Sequence, residues 1–179
     1  MDSTPSANGA APPYVMEMAQ FLAVHHGQGP GILWPEHGHP AHDGPDATTV
    51  LEAETRDLEH LTGLPVAVER YQAADEGTRL LSAGSSEHLL VHQASGAGSW
   101  RLRAGAGTAA EQFFSCRLRS GEMLYIPPDW AWHADLTPST QLLLTRLGPP
   151  TAHTGEAKAD LPTSPSDRQP SQDVSPRPW

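Results

Sequence analysis

The stretch GEMLYIPPDWAWHAD, Gly121 to Asp135, decides how the rest of the chain is read. It joins a turn glycine to an apolar run, then a double proline, two tryptophans and a histidine. That composition suits a strand that leaves a turn and runs to the rim of a pocket, with Trp130 and Trp132 facing one way because alternate residues of an extended chain share a face. Whether His133 holds a metal there is a question of register, since a one-residue slip turns a side chain to the opposite side.

Upstream of Gly121 the same short period recurs. VAVERY, RLLSA, EHLLVHQ, SWRLR and FFSCRL precede EMLYIP, and TQLLLTRL follows it, separated by turn signals such as SGAG and RSGE. Seven short strands in succession, with helices only at the front, favour an antiparallel sandwich or barrel over a parallel sheet. YVMEMAQFLAVHH predicts the first helix, with Val15, Met18, Phe21 or Leu22 and His25 on one face, and GQGPG stops it before a short strand at ILW. TTVLEAETRDLEHLTG predicts the second, with Thr49 and Glu52 as a capping box, Leu51, Leu58 and Leu61 near one face, and Gly63 as the stop.

The chain has 179 residues and a formal net charge of −10, with Lys158 its one lysine. One domain over residues 14–148 is expected. Residues 1–13 and 149–179 are rich in Pro, Ser and Asp and too poor in hydrophobes to offset the entropy of ordering, so disorder is expected there. The acidic balance argues against a nucleic-acid partner, because counterion release needs clustered cations. Cys116 has no intrachain partner, no apolar run reaches the length of a membrane span, and the N-terminus lacks a leader pattern. A cytoplasmic protein with no membrane contact is expected, with a homodimer as a weaker expectation.

From Gln93 onward the residues carry a family likeness. Gln93, Gly96 and Trp100, then Gly121, Glu122, Leu124, Tyr125 and Pro127, then the closing apolar strand STQLLLTRLG, resemble the JmjC-like cupin family of ribosomal oxygenases and asparaginyl hydroxylases. FLAVHHGQGPGILWP is similar to that family's opening helix and first strand. The resemblance implies a double-stranded β-helix, a jelly roll of the cupin and JmjC type, preceded by short N-terminal helices. It also implies hydroxylation by Fe(II), O₂ and 2-oxoglutarate, with iron on two histidines and a carboxylate that leave the opposite positions open.

Counted by the family's register, the ligand positions do not carry ligands. Ala83 and Ser85 stand where the histidine and aspartate are expected, Gly98 where a basic residue would meet the co-substrate carboxylate, and Trp132 where the last histidine belongs, with His133 one place beyond. Two functions therefore stay open. One is a binding or accessory protein that has lost the Fe(II) and 2-oxoglutarate site and needs no cofactor. It would take a peptide, protein or small molecule in a barrel mouth lined by Trp130, Trp132, Tyr125 and Gln93. The other is a metal-dependent oxygenase that rebuilds a site from His133, His88 and Glu87.

Other constellations have plainer readings. PEHGHPAHDG brings His37, His39, His42 and Asp43 together at a spacing zinc accepts, though a solvated polar loop explains it as well. His88 and His92 share a strand face but lie about 13 Å apart at ~3.3 Å per residue, too far to chelate one ion. Cys116, with no basic neighbour motif, reads as a buried small hydrophobe. His25 and His26 suit the C-terminal end of a helix dipole. PTSP and SPRP fit polyproline-type ligands by composition only.

Overall fold

The structure is a computed structural model and describes residues 11–37, 47–105 and 112–148. The expectations for residues 1–10 and 149–179, and for His39, His42 and Asp43, lie outside these residues.

Helix α1 (Pro13–His25) opens with proline at a position whose N–H would have no helical partner, and Tyr14, Val15, Met18 and Leu22 form its buried stripe. Leu22, not Phe21, is fully covered. Past its end Gly27 takes a φ of 73°, where a side chain would be strained. Strand β1 (Gly31–Leu33) follows. Helix α2 (Ala47–Thr62) stops as expected at Gly63, whose φ is 70°. Two details of this helix differ from the sequence reading. It already includes Ala47, so Thr49 lies inside the helix and is no cap. Leu61 is exposed, and the buried side of the helix is made by Glu54 and Leu58.

The strands are β2 (Val66–Gln72), β3 (Thr78–Ser82), β4 (His88–Ser95), β5 (Ala97–Ala104), β6 (Phe113–Arg119), β7 (Met123–Ile126), β8 (Trp130–Leu136) and β9 (Gln141–Leu147). Seven of these eight match the expected runs. The eighth, β8, has no counterpart among those seven runs. Each outgoing strand pairs with the one that returns opposite it: β2 with β9, β3 with β8, β4 with β7, and β5 with β6. This is one long hairpin wound up, closed by the pairs β4 with β9 and β5 with β8. The result is two antiparallel sheets, ordered β1-β7-β4-β9-β2 and β3-β8-β5-β6. That strand order is a jelly roll, the double-stranded β-helix of the cupin fold.

Alternation along the strands makes two apolar layers. Leu89 and Val91 of β4, Trp100 and Leu102 of β5, Leu124 and Ile126 of β7, and Leu142 and Leu144 of β9 fill the space between the sheets. The intervening residues Leu90, Met123, Tyr125 and Leu147 face the other way and pack under α1 and α2. The five-stranded sheet is therefore buried on both faces, and both helices lie on its outer side.

Candidate functional site

One end of the barrel is built by the turn from β3 to β4 and the start of β8. Ala83 and Ser85 lie in that turn. Asp129 precedes β8 at a φ of 63°, a left-handed conformation that Asp tolerates better than most residues, and its N–H donates to the Ser85 carbonyl at 2.7 Å. The chain passes close to Gly105 there: a Cβ on Gly105 would sit 2.6 Å from the Asp129 carbonyl oxygen. Such locally strained backbone marks sites that the surrounding fold holds in place.

Register along β8 answers the question posed by His133. Trp130, Trp132, Ala134 and Leu136 belong to the layer between the sheets. His133 alternates with them and faces outward, aligned with Leu81 of β3 and Arg101 of β5. Trp132 takes the inward position, and its ring lies 5.4 Å from that of Trp100.

Gly98, at the counted position of the co-substrate's basic partner, points into the barrel, but its surroundings are full. A Cβ there would lie 2.8 Å from both Leu136 Cδ2 and Trp100 Nε1 and 3.4 Å from Gln93 Oε1. Contacts under 3 Å force a neighbour to move, so no longer side chain fits without repacking. Gln93 is fully buried and donates from Nε2 to the Ser95 carbonyl at 2.8 Å. Gln93 Oε1 and Trp100 Nε1 are buried without a hydrogen-bond partner among the described residues. An acceptor and a donor flanking one glycine can be bridged by a water, which needs a polar niche of this kind.

The residues singled out from the sequence separate into four places. Trp130, Trp132 and Gln93 face the barrel interior. Tyr125 does not join them: it lies on the opposite side of its sheet, in the layer under the helices, because it alternates with Leu124 and Ile126. His88 is on that helix side too, with Nδ1 2.8 Å from the Tyr125 hydroxyl and its ring 4.6 Å from that of His26. Burial, then His26, lowers its pKa. Glu87 is buried at the start of β4, with a carboxylate oxygen 3.9 Å from Arg146. His133 is in the other sheet, so the geometry does not bring it together with His88 and Glu87. Among the described residues no group of three or more His, Cys, Asp or Glu is placed to hold a metal.

His92 is buried on the helix side, and Cys116 is half-buried against the inner core with its thiol pushed up to about 11 by burial. His37 contacts the Glu17 carboxylate, which that histidine holds below the usual range. Arg146 was not anticipated. It sits near the barrel end, 3.8 Å from Glu69 as well as near Glu87, and an arginine inside an apolar closing strand is the signal that marked it. A second concave surface lies outside the barrel, a groove of about 670 Å³ along α1 and β1 whose lining includes Met16, Phe21, Val24 and Trp34.

No family model matches the chain, and no curated protein matches it. Solved structures give low-scoring similarities. A vicilin from Capsicum annuum is 21% identical over 52% of this chain and 26% of its own, with a TM-score of 0.42. The TDP-quinovose 3,4-ketoisomerase WlaRB from Campylobacter jejuni is 15% identical over 48% of this chain and 65% of its own, at 0.39. HEPD of Streptomyces albus, a structure with Fe(II) bound, is 14% identical over 46% of this chain and 18% of its own, at 0.36. This chain therefore spans less than two thirds of each. The strand order, not these scores, carries the fold.

Proposed function

We propose that the protein is a binding or accessory protein on a cupin barrel that has lost the Fe(II) and 2-oxoglutarate site, and that it receives a peptide, protein or small molecule at the Trp130 and Trp132 end. The observation that carries this reading is the register of β8, with Trp132 turned inward and His133 outward. An Fe(II) centre with 2-oxoglutarate does not fit the residues present. Ala83 and Ser85 offer no imidazole or carboxylate, and Gly98 has Leu136 and Trp100 against it where an anchoring cation would need room. An indole at a barrel rim presents a broad apolar face with one donor, which suits recognition of a partly apolar ligand.

Metal analysis of the untagged protein, with calorimetry of 2-oxoglutarate in the presence of Fe(II) under anaerobic conditions, tests this. The expected result is metal well below one equivalent, unchanged in His133→Ala, and no heat from 2-oxoglutarate. One equivalent of metal that disappears in His133→Ala would overturn the reading in favour of a metal-dependent oxygenase.

A further inference from the structure

The formal charge of −10 averages over two unlike faces. On the outer side of the β3-β8-β5-β6 sheet, alternation turns Arg79, Arg101, Arg103, Arg117 and Arg119 to solvent, five of the chain's eleven Lys and Arg. One carboxylate shares these outward strand positions, Asp135, and it is held by Arg79 at 2.8 Å. Arg101, Arg103, Arg117 and Arg119 form no ion pair among the described residues. Register staggers them: Arg101 is aligned with Ser115 and Arg103 with Phe113 of β6, while Arg117 is aligned with Ser99 and Arg119 with Ala97 of β5. Along the hairpin they follow one another at two-residue steps, Arg119, Arg117, Arg101 and Arg103, a row of like charges where any polar residue would satisfy a solvated strand position. Both helices pack on the other sheet, so neither covers this one.

We infer that this face is a docking surface for a carboxylate-rich, extended segment of a partner protein. Arg101 and Arg103 on β5, and Arg117 and Arg119 on β6, are each two residues apart. Outward side chains on one strand recur about every 6.6 Å, the spacing at which alternate carboxylates of an extended peptide also recur. Guanidinium groups take carboxylates in bidentate pairs, which a lysine cannot do. At the margins of the face Phe113 is 68% exposed and Leu81 56% exposed, which suits a partner with apolar residues among its acidic ones. Arginine with aromatic residues and without lysine is also the composition of protein interfaces. Nucleic acid fits less well, because a few arginines on a molecule of net charge −10 release few counterions while the overall field repels a polyanion.

The test uses the full chain and a fluorescent synthetic peptide of alternating Glu and Leu, followed by anisotropy at low ionic strength. The peptide is expected to bind, and binding is expected to weaken at least about tenfold in the double variant Arg101→Ser with Arg117→Ser and to fall with added salt. A second double variant, Arg103→Ser with Arg119→Ser, gives the same readout should the first fail to fold. No binding, or binding equal in wild type and variants, overturns the inference. A single-stranded DNA oligonucleotide that binds more tightly through the same arginines overturns the choice of partner. So does a dimer in sedimentation that the same substitutions dissolve.

Discussion

His88 ties β4 to the C-terminal end of α1 through the His26 ring, 4.6 Å away, and its Nδ1 lies 2.8 Å from the Tyr125 hydroxyl. The neutral imidazole is the form that this half-buried position favours. Burial and the adjacent His26 act in the same direction and lower the His88 pKa. The stability contribution of His88 is thus fully present above the unfolded histidine value of about 6.5 and is lost as pH falls through the lower folded value. Thermal unfolding across this range checks it: relative to wild type, His88→Gln is expected to gain stability between pH 7.5 and pH 5.5. Parallel curves for the two proteins would remove the argument. None of this was legible in the sequence, where His88 and Tyr125 stand 37 positions apart. The partner of His88 is set by the pairing of β4 with β7.

At the scale of the element, β8 carries the most information and was the hardest to read. Its neighbours announce themselves with Leu, Val, Ile or Phe, whereas Trp130 to Leu136 contains no β-branched residue, two alanines and an acid, and follows a double proline. The period-two signal was present all the same: Trp130, Trp132, Ala134 and Leu136 alternate with Ala131, His133 and Asp135. Counting against the family's register placed Trp132 at the ligand position, and in the structure that residue faces inward. What sequence could not supply was the facing of His133, because it depends on pairing with β3 and β5. The facing separates two substitutions. Trp132→Ala removes a half-buried indole packed against Trp100 and is expected to cost about 2–4 kcal/mol in urea unfolding, at or below the range for buried aromatics. His133→Ala trims an outward side chain and is expected to stay within about 0.5 kcal/mol. The reverse order of costs would require His133 inside the barrel.

For the molecule as a whole, the two apolar layers are unequal. The central strands β4 and β9 of one sheet and β5 and β8 of the other have a neighbour on each side, and the space between the sheets is filled by close-packed leucines and tryptophan. Helix α2 is attached more lightly. Among its described residues Glu54 and Leu58 are the buried ones, and under it lies a small cavity of about 20 Å³ with Tyr14, Glu54, Thr55, His92 and Thr145 in its lining, room for about one water. Of the leucines that predict α2, Leu58 is buried and Leu61 is exposed, and the carboxylate in its buried stripe was not legible. Burial, then Asp57, pushes Glu54 up to about 7, so the docked helix favours the protonated acid. Its contribution is complete below the unfolded carboxylate value of about 4.3 and is lost as pH rises through about 7, the opposite sense to His88. Docking of α2 should therefore loosen toward alkaline pH while the barrel does not. Native-state hydrogen exchange, corrected for intrinsic rates, is expected to show α2 amides opening below the global limit, and more readily at pH 8 than at pH 6, with β4, β5, β8 and β9 at the global limit throughout. Glu54→Gln keeps the shape of the group and removes its titration, and should abolish the difference between the two pH values. Equal protection of α2 and β4 at both would mean that helix layer and barrel open as one unit.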